Sequence, residues 1–197
     1  MFSSGIPKRE KRISFGPRVV RRLSSDRSGA TAIEFALVAA PFFAFMLAII
    51  EVAMVYFGGF VLESAVEQAS RMIRTGQAQQ QGFTEAQFKQ EICNNVASLF
   101  DCANGLKLDV QRFDNFTGVG DGNFDPPLDG DGGLDDGGFA FDPGTGGDVV
   151  LVRAYYVWDL IAAFPEEIGG IRIGLSNMPG GRLLTATAAF RNEPFDG

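Results

Sequence analysis

The chain has no histidine and only two cysteines among its 197 residues. Without an imidazole there is no Ser-His or Cys-His dyad, and no side chain whose ordinary pKa suits a general base near neutral pH. Two cysteines are too few for a thiolate metal centre. Neither a phosphate-cradling Gly-rich Lys motif nor a metalloprotease helix occurs. Carboxylate pairs such as Glu166-Glu167 and Asp135-Asp136 stand in turn-like segments, where solvation is their ordinary role. Catalysis finds little support: an enzyme is not expected, and neither is a cofactor. Basic residues are also in deficit, 17 Lys/Arg against 24 Asp/Glu, for a net charge of −7. An acidic body disfavours nucleic-acid binding, because phosphate recognition wants a basic patch. No internal repeat is visible.

The charge that is present is unevenly placed. Residues 1–28 hold eight Lys/Arg against two acids, and the remainder carries −13. Between the two lies Phe35–Ile50, sixteen residues without a charge. The positive-inside rule keeps the basic end in the cytoplasm and sends the acidic remainder across the membrane. Residues 1–28 show no apolar period and contain Pro7, Gly16 and Pro17, so they read as a disordered leader.

At the junction stands Arg27-Ser28-Gly29-Ala30-Thr31-Ala32-Ile33-Glu34-Phe35. An acid at the head of a hydrocarbon-length segment is costly enough to demand a reason. Three readings compete. A cleavable secretory signal has a shorter apolar core. A plain anchor needs roughly 20 apolar residues, which Ile33–Phe57 supplies with Glu51 inside. A pilin-type anchor, cut on the cytoplasmic side after Gly29, explains the apolar run and also Gly29 and Glu34. Glycine lets a peptidase approach the backbone closely. Cleavage would leave Ala30 as the new amino terminus, and Glu34, one helical turn on, can face that amine or a neighbour's.

From Thr31 to about Thr75 the pattern is helical, about 65 Å at 1.5 Å per residue. Its first half is apolar all round. In its second half Val61, Leu62, Ala65, Val66, Ala69, Met72 and Ile73 fall on one side, with Glu63, Glu67, Ser70, Arg71 and Arg74 largely on the other. Pro41 predicts a kink, Gly58-Gly59 a second weak point, and Gly76 a C-terminal stop. Thr84-Glu85-Ala86-Gln87 is a capping box opening a second helix to about Phe100. Leu106–Phe113 alternates cleanly and predicts a half-buried strand. Residues 114–147 are rich in Gly and Asp, without period, and read as a flexible or tied-down loop. Val149–Leu160 is apolar on both faces, as in a central strand. Glu166–Gly181 is turn-like, and Leu183–Phe190 forms a third strand.

Three further groups invite a role. Glu51 lies about 27 Å along the helix from Ile33, near the far interface, where it can snorkel to headgroups or meet another subunit's helix. Cys93 and Cys102 fall in the part predicted to be extracytoplasmic, which favours a disulfide over two free thiols. Asp121-x-Asn123-x-Asp125 begins like an EF-hand loop, but Pro126 occupies the turn position and Gly132 stands where the bidentate glutamate belongs. With Asp129 and Asp131 these residues are weak calcium candidates only, and a solvated loop is the plainer expectation; no metal site is assigned.

Gly29-Ala30-Thr31-Ala32-Ile33-Glu34-Phe35-Ala36-Leu37-Val38-Ala39-Ala40-Pro41 resembles the start of TadE-like proteins, pseudopilins of tight-adherence (Flp) pilus assembly systems. Ile49-Ile50-Glu51-Val52 and Ala65-Val66-Glu67-Gln68-Ala69-Ser70-Arg71 resemble the rest of that family's N-terminal domain, and Leu184–Phe195 resembles its tail. The resemblance implies cleavage of Gly29–Ala30 by a prepilin peptidase, with Glu34 acting in processing or subunit alignment. It implies other pilin-like subunits, inner-membrane platform proteins and the lipid bilayer as partners. The expectation is a non-catalytic minor pseudopilin of α+β class in the bacterial inner membrane. It comprises a basic cytoplasmic leader (1–29), a transmembrane and amphipathic helix (30–76), and a small periplasmic domain (77–197). That domain would hold the second helix, a three-stranded antiparallel sheet and the Asp/Gly loop. The alternative is a membrane-tethered periplasmic binding protein whose acidic loop takes calcium or another ligand.

Overall fold

The computed structural model describes residues 29–96, 100–120, 125–160, 167–168, 171–172 and 174–195. The chain divides into two compact units, 1–46 and 47–197. Helix α1, Ala30–Arg74, belongs to both, and it runs through Pro41 as one helix. In the first unit its apolar side chains are exposed on every face, with Phe35, Leu37 and Val38 each 71% accessible.

In the second unit α1 becomes one layer of an α+β domain. Leu62, Ala65, Val66, Ala69 and Ile73 are buried, as the helical period predicts. Ser70, expected on the polar side, is buried with them. The helix stops at Gly76, whose φ of +77° suits a residue without Cβ; its amide donates to Ile73 O at 3.0 Å. A single turn, α2 (Gln77–Gln80), leads to α3 (Glu85–Asn95). The Thr84 hydroxyl accepts from Gln87 N, and the Gln87 side chain accepts from Thr84 N, so the capping box is formed. Helix α3 ends at Asn95 rather than near Phe100. Asn94 and Asn95 favour helix ends, and the Asn95 side chain donates back to Glu91 O at 2.8 Å. The turn α4 (Cys102–Gly105) then feeds β1 (Leu106–Phe113).

The sheet has the order β1-β2-β5, all antiparallel, with β2 (Val149–Trp158) central and β5 (Arg182–Arg191) outside. Val110, Val152 and Ala188 stand abreast. Because side chains alternate, Leu106, Leu108, Val110, Val150, Val152, Ala154 and Ala186 form one face, packed in a core with α1 and with Phe88 and Ile92 of α3. Each fully buried Leu, Ile or Phe there contributes about 1.5–3 kcal/mol of transfer free energy. Two segments are more ordered than expected. Within 114–147 lies α5 (Phe116–Gly120), and Val119 packs on Val149 and Leu151 of the other sheet face. Within 166–181, β3 (Glu167–Ile168) and β4 (Ile171–Arg172) pair as a short hairpin.

The most consequential departure is at the β1 edge. Val110 N donates to Ala140 O at 2.7 Å and Asp142 N donates to Val110 O at 2.9 Å, so Phe141 runs parallel beside Val110. The glycine-rich segment thereby pairs with the β1 edge at Val110. A flexible-loop reading misses this because each donor and acceptor finds its partner some thirty residues away.

Candidate functional site

The membrane-entry residues lie in the first unit. Gly29, Ala30 and Glu34 are all exposed, among Ile33 and Phe35 at 63% and 71% accessibility. Among the described residues a Cβ built on Gly29 meets nothing within 4 Å. Glu34 sits just beyond the first turn of α1, where the unpaired amides of the helix start give a partial positive charge.

Glu51 and Gly58 belong to the second unit. Glu51 is only 4% exposed and has an interaction partner within its own chain. Gly58, half of the expected weak point of the helix, is covered by this chain's own Trp158. A Cβ at position 58 would stand 2.9 Å from Trp158 Cζ3 and 3.3 Å from Leu184 Cδ1. Gly59 alone of the pair has open space beside it. Phe100 buttresses the indole edge-on, with ring centroids 5.7 Å apart.

Cys93 near the end of α3 and Cys102 at the start of α4 are disulfide-bonded, with Cα atoms 5.8 Å apart. The bond ties the helix layer to the entry of β1. Nearby, Lys89 is held below its ordinary pKa by burial first and by the charge of Lys107 second. Lys107 in turn pairs with Asp136 at 2.5 Å, and its hydrogen bond lowers the Asp136 pKa.

The acidic segment does not assemble a cation site among the described residues. Asp121 and Asn123 lie outside the described residues. Asp129 Oδ1 accepts from Asp131 N and Gly133 N at 2.9 and 2.8 Å, so it folds its own turn. Asp135 likewise accepts from Gly137 N at 3.0 Å. Asp125 is also partnered. These carboxylates act as backbone acceptors in tight turns, the usual service of Asp in such segments.

A different acid is buried. Asp109, wholly inaccessible, faces Arg153 across β1 and β2, and Arg153 donates to its Oδ2 through Nε at 3.1 Å and also through Nη2. Asp109 Oδ1 accepts from Ala140 N at 3.1 Å, and Gln111 completes the set. Phe139 stacks on Tyr155, 5.3 Å between centroids, above the pair. In the sequence Asp109 reads as a polar-face residue of an alternating strand. The available signal was Arg153, the one charge inside an otherwise apolar central strand.

The C-terminal tail forms a second tie. Glu193 N donates to Arg74 O at 2.8 Å, satisfying a terminal carbonyl of α1, and Phe195 lies flat on Gly76. Buried Asn192 donates from Nδ2 to Pro143 O and Thr145 O, both at 3.0 Å. Asp148 accepts from the Thr145 amide and hydroxyl, and the amide bond lowers its pKa most. The tail thus joins the end of α1 to the loop before β2.

One N-terminal helix is long and apolar enough to cross a membrane, and it leads into a disulfide-closed α+β domain. That combination suggests a membrane-anchored, single-pass protein. Residues 29–71 match the family model described as TadE-like protein, from Gly29 through Glu34, Glu51 and Gly58 to Arg71. The match covers 43 of the 197 residues, all of them in α1 or at its start. No curated protein and no solved structure matches the chain.

Proposed function

We propose that this protein is a non-catalytic minor pseudopilin of Tad (Flp-type) pilus assembly. A prepilin peptidase cuts it after Gly29, and it stays anchored in the bacterial inner membrane with its α+β domain in the periplasm. The observation that carries the reading is the pairing of Gly29 and Glu34 at a basic-to-apolar boundary inside the TadE-like match. Among the described residues nothing packs on Gly29, and a glycine there lets a peptidase approach the backbone closely. Glu34 supplies a carboxylate one turn from the new Ala30 amine, able to pair with it or with a neighbouring subunit's. The periplasmic assignment agrees with the Cys93–Cys102 bond, since that compartment favours disulfides. Partners in this reading are the peptidase, other pilin-like subunits, inner-membrane platform proteins and the bilayer.

The test is the mass of the mature N-terminus in cells with and without the prepilin peptidase. A peptidase-dependent start at Ala30, abolished by Gly29→Leu at unchanged folded stability, is the expected result. An intact Met1 leader in both strains overturns it and favours a plain tethered binding protein.

A further inference from the structure

A cleft of about 500 Å³, the size of a small-molecule site, opens beside α1 within the second unit. Its helix wall is Val52, Val55, Tyr56, Gly59, Phe60 and Glu63, a spacing that places all six on one face of the helix. The opposite wall is Leu175 and the start of β5, Arg182–Thr185. A Cβ on Gly59 meets nothing within 4 Å, so the space is open there. Tyr56 and Phe60 are 77% and 71% accessible, and Leu47, Ile49, Ile50 and Phe57 of the same unit are exposed as well. This is an apolar surface of the kind a bilayer covers, and it leads directly into the cleft.

Two opposite charges line this cleft, Arg182 and Glu63, and they form no ion pair with each other. Among the described residues Glu63 pairs with no other cation either. Arg182 Nη1 donates to Leu175 O at 3.2 Å, which holds the guanidinium at the wall and uses one of its five N–H donors. The order of the charges along the cleft follows from the sheet. Trp158, whose indole packs on Gly58, is the register partner of Arg182, so Arg182 starts from about the level of Gly58. Glu63 lies five residues further along the helix, about 7.5 Å. From Val52 toward Glu63 the cleft is therefore apolar, then cationic, then anionic.

We propose that this cleft holds the headgroup of one zwitterionic phospholipid. The Arg182 guanidinium binds the phosphate, for which its planar fork of donors is suited. Glu63 accepts from the ammonium group. The acyl chains lie on Val52, Val55 and Phe60 and continue along the exposed apolar residues of α1. A zwitterionic phospholipid carries these three parts in the same order: chains, phosphate, ammonium. A headgroup without the ammonium leaves the Glu63 carboxylate with no complement, and an apolar helix of another protein matches the wall but neither charge. The proposal rests on the membrane-anchored reading of the chain; it does not need cleavage after Gly29.

The test is native mass spectrometry of the full chain released from nanodiscs of equimolar phosphatidylethanolamine and phosphatidylglycerol. The unaltered chain retains one lipid, phosphatidylethanolamine over phosphatidylglycerol by about fivefold or more. Glu63→Gln brings the two lipids to equal retention, and Arg182→Gln lowers the retention of both about tenfold. Gly59→Leu fills the open space with a good helix former and also expels the lipid, so it serves if Arg182→Gln does not fold. Equal retention of the two lipids by the unaltered chain overturns the proposal, as does the absence of any retained lipid. Retention unmoved by Gly59→Leu overturns it too, since the lipid is then held outside the cleft. A lipid-free dimer that Gly59→Leu dissociates gives the cleft to a second copy and overturns it likewise. The N-terminal mass in the same spectra separates the two readings. An uncut leader with bound phosphatidylethanolamine sinks the pseudopilin reading and leaves the lipid site; a start at Ala30 without bound lipid does the reverse.

Discussion

Gly58 of α1 lies against the indole of Trp158 at the end of β2, with room for a hydrogen and none for a methyl. The next residue, Gly59, faces open space. Two adjacent glycines of one helix therefore answer to opposite demands.

Gly58→Ala forces Trp158 or the helix to shift and should cost about 1–3 kcal/mol. Gly59→Ala meets no obstacle and should stabilise by about 0.5–1 kcal/mol through helix propensity. Thermal unfolding of the full chain in detergent, both variants side by side, checks the sign of each. Equal effects would remove the indole contact as the reason for Gly58.

Asp109→Ala leaves the Arg153 guanidinium, its side chain 12% exposed, without its counter-charge and frees the Ala140 amide. The expected loss is about 3–5 kcal/mol. Replacing both partners, Asp109→Leu with Arg153→Met, should recover most of it, because no lone charge then stays buried. Denaturant unfolding of the four proteins measures the coupling. A double variant as unstable as Asp109→Ala would show that the Ala140 tie, not the charge pair, matters.

Reduction of Cys93–Cys102, or Cys93→Ser with Cys102→Ser, should lower stability by about 2–3 kcal/mol for so short a loop. The α3–β1 junction is the region expected to loosen first. Amide exchange at Ile92 and Leu106 should rise before exchange in β2 does; a uniform rise across the domain would argue against a local staple.

The Asp148 carboxyl is held below its ordinary 3.8 by the Thr145 amide first, with burial opposing. A depressed pKa means the unfolded chain binds the proton more readily, so stability rises with pH in that range. The contribution is full above about pH 3.8 and fades as pH falls through the lower folded value. The Thr145 amide should lose exchange protection in that window, ahead of β2. Asp148→Asn should remove the acid dependence, and an unchanged acid profile in that variant would refute the assignment.

Local chemistry was readable wherever a short-range period carried it. The apolar run of α1, its amphipathic half, the Thr84–Gln87 capping box, the alternation of β1 and the doubly apolar β2 are all decided by residues within a few positions of one another. The TadE-like character of residues 29–71 is legible for the same reason, being a contiguous stretch. Ser70 was misplaced because the helix period assigns a face but does not say how wide a face the domain covers.

The sequence by itself determined a charge-polarised chain with one membrane-length helix, its candidate cleavage point at Gly29, the three main strands and the absence of imidazole chemistry. Tertiary structure alone decided that Asp109 is buried against Arg153, that residues 140–142 bond to the β1 edge at Val110, and that Asn192 and Glu193 lock the tail to the loop and to α1. It also decided that Trp158 fills the space above Gly58. The reason is range. These groups are satisfied by partners tens of residues distant, the Arg153–Asp109 bond across 44 positions and the Asn192–Pro143 bond across 49. No local period records such pairs; only the packing of the sheet against its two faces brings them together.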